Sequence, residues 1–322
     1  MSSNARLVYV PLSNNRDTQS SLPAKPNLFI VGFAKCGTTA LHEYLSTHPN
    51  VHPSFPKEPH FFIERAWRKS PARTEAEYLR FFAGAPKGAH VWLDSSAVHI
   101  YSPSALQKIR DFNPAAKIIV MVRNPVDMLA SFHKYSCRMF VEDVENFEEA
   151  WDLQAARAAG RNLPQGCEFP ILLQYENLGR IGEHVARLLE IWPRSQVKVV
   201  FFNEFVKSPL EHYKDILEFI GIPYDGRTEF PKVNEGGVWK SRVVGKLMLK
   251  TWPLVIKLFT RVGVVGAVRR PQFWMFLWGL NSAREERVEM DPKFRRRLVE
   301  VFRDDIRLLS VTTGRNLDHW LT

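Results

Sequence analysis

Cysteine is scarce in this chain: Cys36, Cys137 and Cys167 are the only three in 322 residues, and they lie far apart. That excludes a disulfide framework and zinc-finger spacings, and it fits reduced thiols in a cytoplasmic protein. Long apolar runs are lacking too. No segment reaches the roughly 18 uninterrupted apolar residues of a membrane span. The nearest, "TWPLVIKLFTRVGVVGAVRR" and "PQFWMFLWGL", are broken by Lys257, Arg261, Arg269 and Pro271. The first residues carry no apolar core of a secretory signal. Internal repeats, metal-ligand spacings and stacking-aromatic RNA motifs are also missing, so nucleic acid is not the expected partner.

What is present is an ordinary globular balance, 45% hydrophobic and 24% charged, which excludes a disordered chain. The formal net charge of +10 favours an anionic partner: an acidic glycan, a phosphorylated cofactor or a membrane surface. Residues 1–25 read as a flexible lead-in and 26–322 as one domain. Within it 231–290 is irregular, as an insertion covering cofactor or substrate would be.

Strand and helix patterns alternate. "NLFIVGF" (27–33), "HVWLDSS" (90–96), "AKIIVMVRNP" (116–125) and "QVKVVFFNEF" (196–205) read as buried strands with polar C-terminal ends. "TTALHEYLSTHP", "EAEYLRFFAG", "SPSALQKIRDFNP", "VDMLASFHKYSCRM", "ENFEEAWDLQAARAAG", "YENLGRIGEHVARLLEIWP" and "PLEHYKDILEFIGIP" read as helices. A long amphipathic helix is expected from Asp291. This order predicts an α/β fold of P-loop type, three α/β/α layers around a mainly parallel sheet. Ligands of such sheets bind beyond the carboxyl ends of the strands. Three of those ends carry chemistry: "GFAKCGTT", "DSS" and "RNP".

The first of these has the G-x-x-x-x-G spacing of a triphosphate loop, Gly32 to Gly37, but Thr38 stands where the lysine belongs. The nearby lysine, Lys35, lies inside the loop. A turn entering a helix still offers backbone N–H groups and a dipole to an anion, with Thr38 and Thr39 as hydroxyl donors. The plainer alternative is a glycine-containing turn with a solvated lysine. The displaced lysine favours a shorter phosphate chain, with the cation beside the bond nearest the loop.

"GFAKCGTTAL" resembles the 5′-phosphosulfate loop of sulfotransferases that use 3′-phosphoadenosine 5′-phosphosulfate (PAPS). "VRNPVDMLASF" resembles their 3′-phosphate motif, and "HPNVHPSFPKEPHFF" the acceptor-side motif of the carbohydrate or Golgi-type branch, including heparan sulfate and Nod-factor enzymes. "FRDDIRLLSVTTGRNLDHWL" resembles the tail of bacterial members. The resemblance implies that Lys35, Cys36, Gly37, Thr38 and Thr39 hold the 5′-phosphosulfate, and that Arg123 and Ser131 hold the 3′-phosphate. Met128 and His133 depart from the family pattern but spare those two positions.

Sulfuryl transfer needs a base for the acceptor hydroxyl. The resemblance assigns Glu58 that role, with His60 as the second candidate, and Lys35 stabilises the leaving phosphate. Asp94, Ser95 and Ser96 stand where acceptor contacts are expected, though a helix-capping role is equally open. Asn234, Lys240 and Arg242 fall where the family covers the nucleotide. PAPS is thus the expected cofactor, with no metal, and a glycan or glycolipid hydroxyl the expected acceptor. The Trp- and Phe-rich segment 252–280 would suit a peripheral contact with the inner membrane face; core helices are the favoured alternative. Two rivals remain: a P-loop nucleotide kinase or phosphotransferase, and a non-catalytic PAPS or PAP (3′-phosphoadenosine 5′-phosphate) binder.

Overall fold

The computed structural model describes residues 24–165, 167–233, 237–248, 251, 281–284 and 290–322. They divide into a larger compact unit, 24–233 with 290–322, and a smaller one between 237 and 284. The larger unit is built on five strands: β1 (Leu28–Gly32), β2 (Val51–Pro53), β3 (Val91–Asp94), β4 (Lys117–Val122) and β5 (Val197–Phe201). They form one sheet in the order β2-β3-β1-β4-β5, with every pair parallel. Helices cover both faces in the three-layer arrangement expected.

β1 is apolar throughout because it is buried along its whole length. It pairs with β4 from Leu28↔Lys117 to Gly32↔Met121. At the end of that pairing Gly32 adopts φ 143°, and a Cβ there would meet the Met121 carbonyl oxygen at 2.8 Å. Only glycine allows the two backbones to come so close. The chain leaves β1 toward β3 and β2, then returns to β4 on the other side. The crevice between the β1 and β4 ends is therefore the topological switch point of the sheet.

Eleven helices are labelled in the larger unit: α1 (Thr38–Ser46), α2 (Glu75–Leu79), α3 (Pro103–Phe112), α4 (Pro125–Arg138), α5 (Phe147–Asp152), α6 (Gln154–Ala158), α7 (Tyr175–Gly179), α8 (Ile181–Ile191), α9 (Phe202–Lys207), α10 (Pro209–Ile220) and α11 (Pro292–Thr313). Ser102 caps α3, Asn124 caps α4 and Asp291 caps α11, each followed by proline in the first turn. Helix α8 has no cap of its own. Asp305 of α11 supplies one, accepting from the Gly182 and Glu183 N–H groups at 2.8 and 2.9 Å. The two helices approach closely at Gly182, where a Cβ would lie 2.1 Å from the Asp305 carbonyl oxygen.

Some expected boundaries shift. The strand read over 196–205 stops at Phe201, where its pairing with Val122 ends, and 202–207 turn into α9. The single helices read at 146 and 175 each break into two, at Leu153 and Arg180. The short edge strand β2 was not expected, since "VHP" carries no apolar run. Among the described residues no helix is long and apolar enough to cross a membrane. The segment 252–280 and Asn234 lie outside the described residues, as does all but the end of the lead-in.

One buried ion pair holds the connection after α4. Arg157 donates from both terminal nitrogens to the Glu142 carboxylate, at 2.7 and 2.6 Å, and the Tyr175 hydroxyl donates to it at 2.6 Å. Neither charged side chain is exposed. Removing one partner would strand the other charge away from water. Arg157→Met is expected to destabilise the protein by about 3–5 kcal/mol in urea unfolding; a loss below about 1 kcal/mol would show that Glu142 finds other partners.

Candidate active site

After Gly32 the chain turns through Phe33–Gly37 into α1. Lys35 (φ 64°) and Gly37 (φ 88°) both take the left-handed conformation that a tight cradle requires. A Cβ on Gly37 would lie 2.8 Å from the Phe202 ring, so the turn packs directly on the residue that follows β5. Helix α1 has no side-chain cap and no acidic residue in its first turn. Its first N–H groups and dipole are thus left to an anion. Thr38 is buried and Thr39 half-buried at that mouth.

Arg123, the first residue beyond β4, reaches this turn. Its Nη1 donates to the Lys35 carbonyl at 3.2 Å. Its guanidinium lies 4.9 Å from the centroid of the Phe202 ring, a cation–π contact. Its Nε is buried with no partner. The Lys35 ammonium lies over the Tyr135 ring at 5.1 Å. Ser131 stands one turn before Tyr135 on α4, on the same face. Lys35, Arg123 and the Ser131 face of α4 therefore come together at the switch point. The uncapped helix and the orphaned Arg123 Nε fit a bound phosphate group.

Cys36 does not face this cradle. Its side chain is wholly buried in the core, and its N–H donates to the Phe33 carbonyl at 3.3 Å. Burial pushes its thiol up to about 12, against the pull of Arg123 and Lys35.

The second cluster surrounds the loop after β2. Glu58 and His60 both have positive φ, 57° and 52°. The Glu58 carboxylate pairs with Lys57, and its Oε2 lies 3.6 Å from His60 Nε2. Burial pushes the Glu58 carboxyl up, but Lys57, His60 and Arg68 outweigh it and leave it below the usual carboxylate range. Burial pushes His60 down to about 4 despite the opposing carboxylate of Glu58. At neutral pH the pair is thus an ionised carboxylate beside a neutral imidazole.

Asp94, Ser95 and Ser96, where acceptor contact or helix capping was expected, are fully buried or nearly so. Their side chains serve the protein. Asp94 accepts from the Tyr78 hydroxyl at 2.7 Å and from the Ser96 N–H at 2.8 Å. Ser95 Oγ bonds His42 Nδ1 of α1 at 2.8 Å. Ser96 Oγ accepts from the His60 N–H at 3.0 Å. The end of β3 therefore ties the phosphate-side helix to the Glu58 loop. Lys240 and Arg242 belong to the smaller unit, where β6 (Gly237–Trp239) pairs antiparallel with β7 (Ser282–Arg284). The Lys240 N–H there donates to the Asn281 carbonyl at 2.8 Å.

Phe202, Tyr135, His42 and His99 were not singled out from sequence. Phe202 alone carried a signal, as a residue at the carboxyl end of the strand beside β4.

A family model for the sulfotransferase domain matches residues 25–235. The chain belongs to the sulfotransferase family. Among curated relatives it is 28% identical over 244 residues to the human bifunctional heparan sulfate N-deacetylase/N-sulfotransferase 2, covering 71% of this chain and 26% of that protein. It is 25% identical to human heparan sulfate glucosamine 3-O-sulfotransferase 6, covering 61% of this chain and 52% of that one. The chain thus spans about a quarter to a half of the length of these relatives. Among solved structures, a sulfotransferase from Alicyclobacillus acidocaldarius matches with TM-score 0.66 and 26% identity, over 93% of this chain and all of the other. In this sulfotransferase the buried Cys36 should resist iodoacetamide at pH 8 in the folded state and react only in denaturant, while the partly exposed Cys137 and Cys167 react first. Peptide mass spectrometry reads the order; early labelling of Cys36 would contradict its burial.

Proposed function

We propose that the protein transfers the sulfuryl group of PAPS to a hydroxyl of a carbohydrate or glycolipid-like acceptor, by in-line displacement. The observation that carries this reading is Arg123 reaching across the switch point to the turn that holds Lys35. One guanidinium then serves the 3′-phosphate while the turn and the α1 mouth serve the 5′-phosphate. PAPS would supply an activated sulfuryl group on a phosphate leaving group.

The chain's own residues have separate tasks. Thr38, Thr39 and the first N–H groups of α1 bind the 5′-phosphate. Lys35 would offset the negative charge that grows on the leaving phosphate as the S–O bond breaks. Arg123 and Ser131 bind the 3′-phosphate. Glu58 accepts the acceptor's proton, and His60 beside it holds its orientation. Thr38 at the lysine position of a triphosphate loop speaks against the kinase reading. The carbohydrate acceptor rests on the heparan sulfate enzymes among the relatives. Three cysteines with no disulfide among them support a cytoplasmic location.

The test is transfer of label from 35S-PAPS to a panel of glycans, glycolipids and phenols. Lys35→Ala is expected to lower kcat by about 10²–10³-fold. Glu58→Gln should lower it by about 10²–10⁴-fold with PAP affinity nearly unchanged in calorimetry. Full activity in Glu58→Gln with loss in His60→Ala would move the base to His60. PAP binding without turnover on any acceptor would favour a binding protein.

The pH profile follows from the depressed Glu58 carboxyl. A base must be deprotonated, so its contribution is full above its pKa and lost as pH falls through it. The acidic limb of kcat is expected below the ordinary carboxylate value of 4.5. A limb centred near pH 6.5 would point instead to an imidazole in an ordinary environment.

A further inference from the structure

His99 is an imidazole in an aromatic setting. It is fully buried, with its ring edge-on to Phe62 at 5.9 Å. Phe62 packs in turn on Phe29, Tyr78 and Phe112. A phenylalanine would suit that cluster. Instead both His99 ring nitrogens are buried without a partner. Burying an unpaired polar group costs roughly 1–3 kcal/mol, so the imidazole calls for a reason.

Two more orphaned atoms belong to its neighbours. His60 Nδ1 and Glu64 Oε2 are buried and unpartnered as well. The other oxygen of Glu64 accepts from Ser102 at 2.8 Å and from Ser104. His60 and His99 share an anchor: the His60 N–H donates to Ser96 Oγ at 3.0 Å, and the His99 N–H donates to the Ser96 carbonyl at 3.2 Å. The charges felt at the two rings are those of Glu58, Glu64, Asp94 and Arg68. Both rings are neutral at neutral pH, so each has one donor and one acceptor nitrogen.

One arrangement satisfies the orphaned nitrogen of His60 and one of the two on His99. We propose that His99 is a positioning residue that binds one internal water between its ring and His60 Nδ1, and so fixes His60 with its proton on Nε2, facing Glu58. The water donates one hydrogen to His60 Nδ1 and one to a His99 nitrogen. The other His99 nitrogen carries its proton and feels the Glu64 carboxylate only through its charge, with no hydrogen bond between them. Two polar partners are the lower end of the roughly two to four that a buried water takes. His60 Nε2–H then points at the Glu58 carboxylate 3.6 Å away and holds it aimed by charge–dipole attraction. The catalytic consequence rests on Glu58 being the base; the tautomer does not.

The decisive experiment is 15N NMR of the imidazoles in the free protein at neutral pH, with His60→Asn and His99→Phe used to assign the signals. Wild-type His60 is expected as the Nε2–H tautomer. His99→Phe should shift it to Nδ1–H or a mixture. The same variant should lose kcat about 10-fold, with donor KM and Tm not worsened, and His99→Gln should recover most of the loss. An Nδ1–H tautomer in the wild type overturns the proposal without recourse to any variant. So does an unchanged tautomer in His99→Phe. Because the spectrum needs no substrate, the expected tautomer in a protein that transfers no sulfuryl group would sustain this inference and overturn the proposed function alone.

Discussion

The hydrogen bond from Arg123 to the Lys35 carbonyl is the interaction on which the site depends. It joins the residue after β4 to the turn after β1, and the parallel register of those strands makes it possible. Gly32 pairs with Met121, so the two chain ends leave the sheet side by side. The bond also uses the guanidinium sparingly. One nitrogen holds the turn, the Phe202 ring packs against the planar group, and Nε stays unpartnered. Among the described residues no carboxylate lies within ion-pair distance of Arg123. A half-buried cation left in that state suits an anionic ligand, because the ligand completes what the protein leaves open.

The acceptor side is organised from the neighbouring strand. Asp94, Ser95 and Ser96 at the end of β3 lie within the protein and bind Tyr78, His42 and the His60 backbone. One of those bonds reaches α1, whose first turn forms the phosphate mouth. Another reaches the loop that carries Glu58 and His60. The two halves of the site thus share one rigid element. On the proposed mechanism such a link would keep Glu58 and Lys35 in fixed relation, as alignment of the reacting atoms requires.

Much of this was legible in the sequence. The apolar runs ending in glycine or polar residues marked β1, β3 and β4, because strands buried on both faces need no alternation. Lys35 stood out by its place inside the loop, and Arg123 and Ser131 by the resemblance of their motif. The roles of 94–96 could not, because serine and aspartate at a strand end serve a ligand or the protein with equal ease, and only burial separates the two. β2 escaped for want of an apolar run. Phe202 escaped because an aromatic at a strand end usually signals core. The Glu142–Arg157–Tyr175 network joins residues far apart in the chain, and no local pattern announces it.

The central claim is that Arg123 pairs a 3′-phosphate with the 5′-phosphate of one nucleotide. Calorimetry with PAP and with 5′-AMP, which lacks the 3′-phosphate, tests it directly. The wild type should bind PAP about 10- to 100-fold more tightly than 5′-AMP, and Arg123→Ala should erase most of that difference. Equal affinity for the two nucleotides in the wild type, or an undiminished preference in Arg123→Ala, would contradict the account.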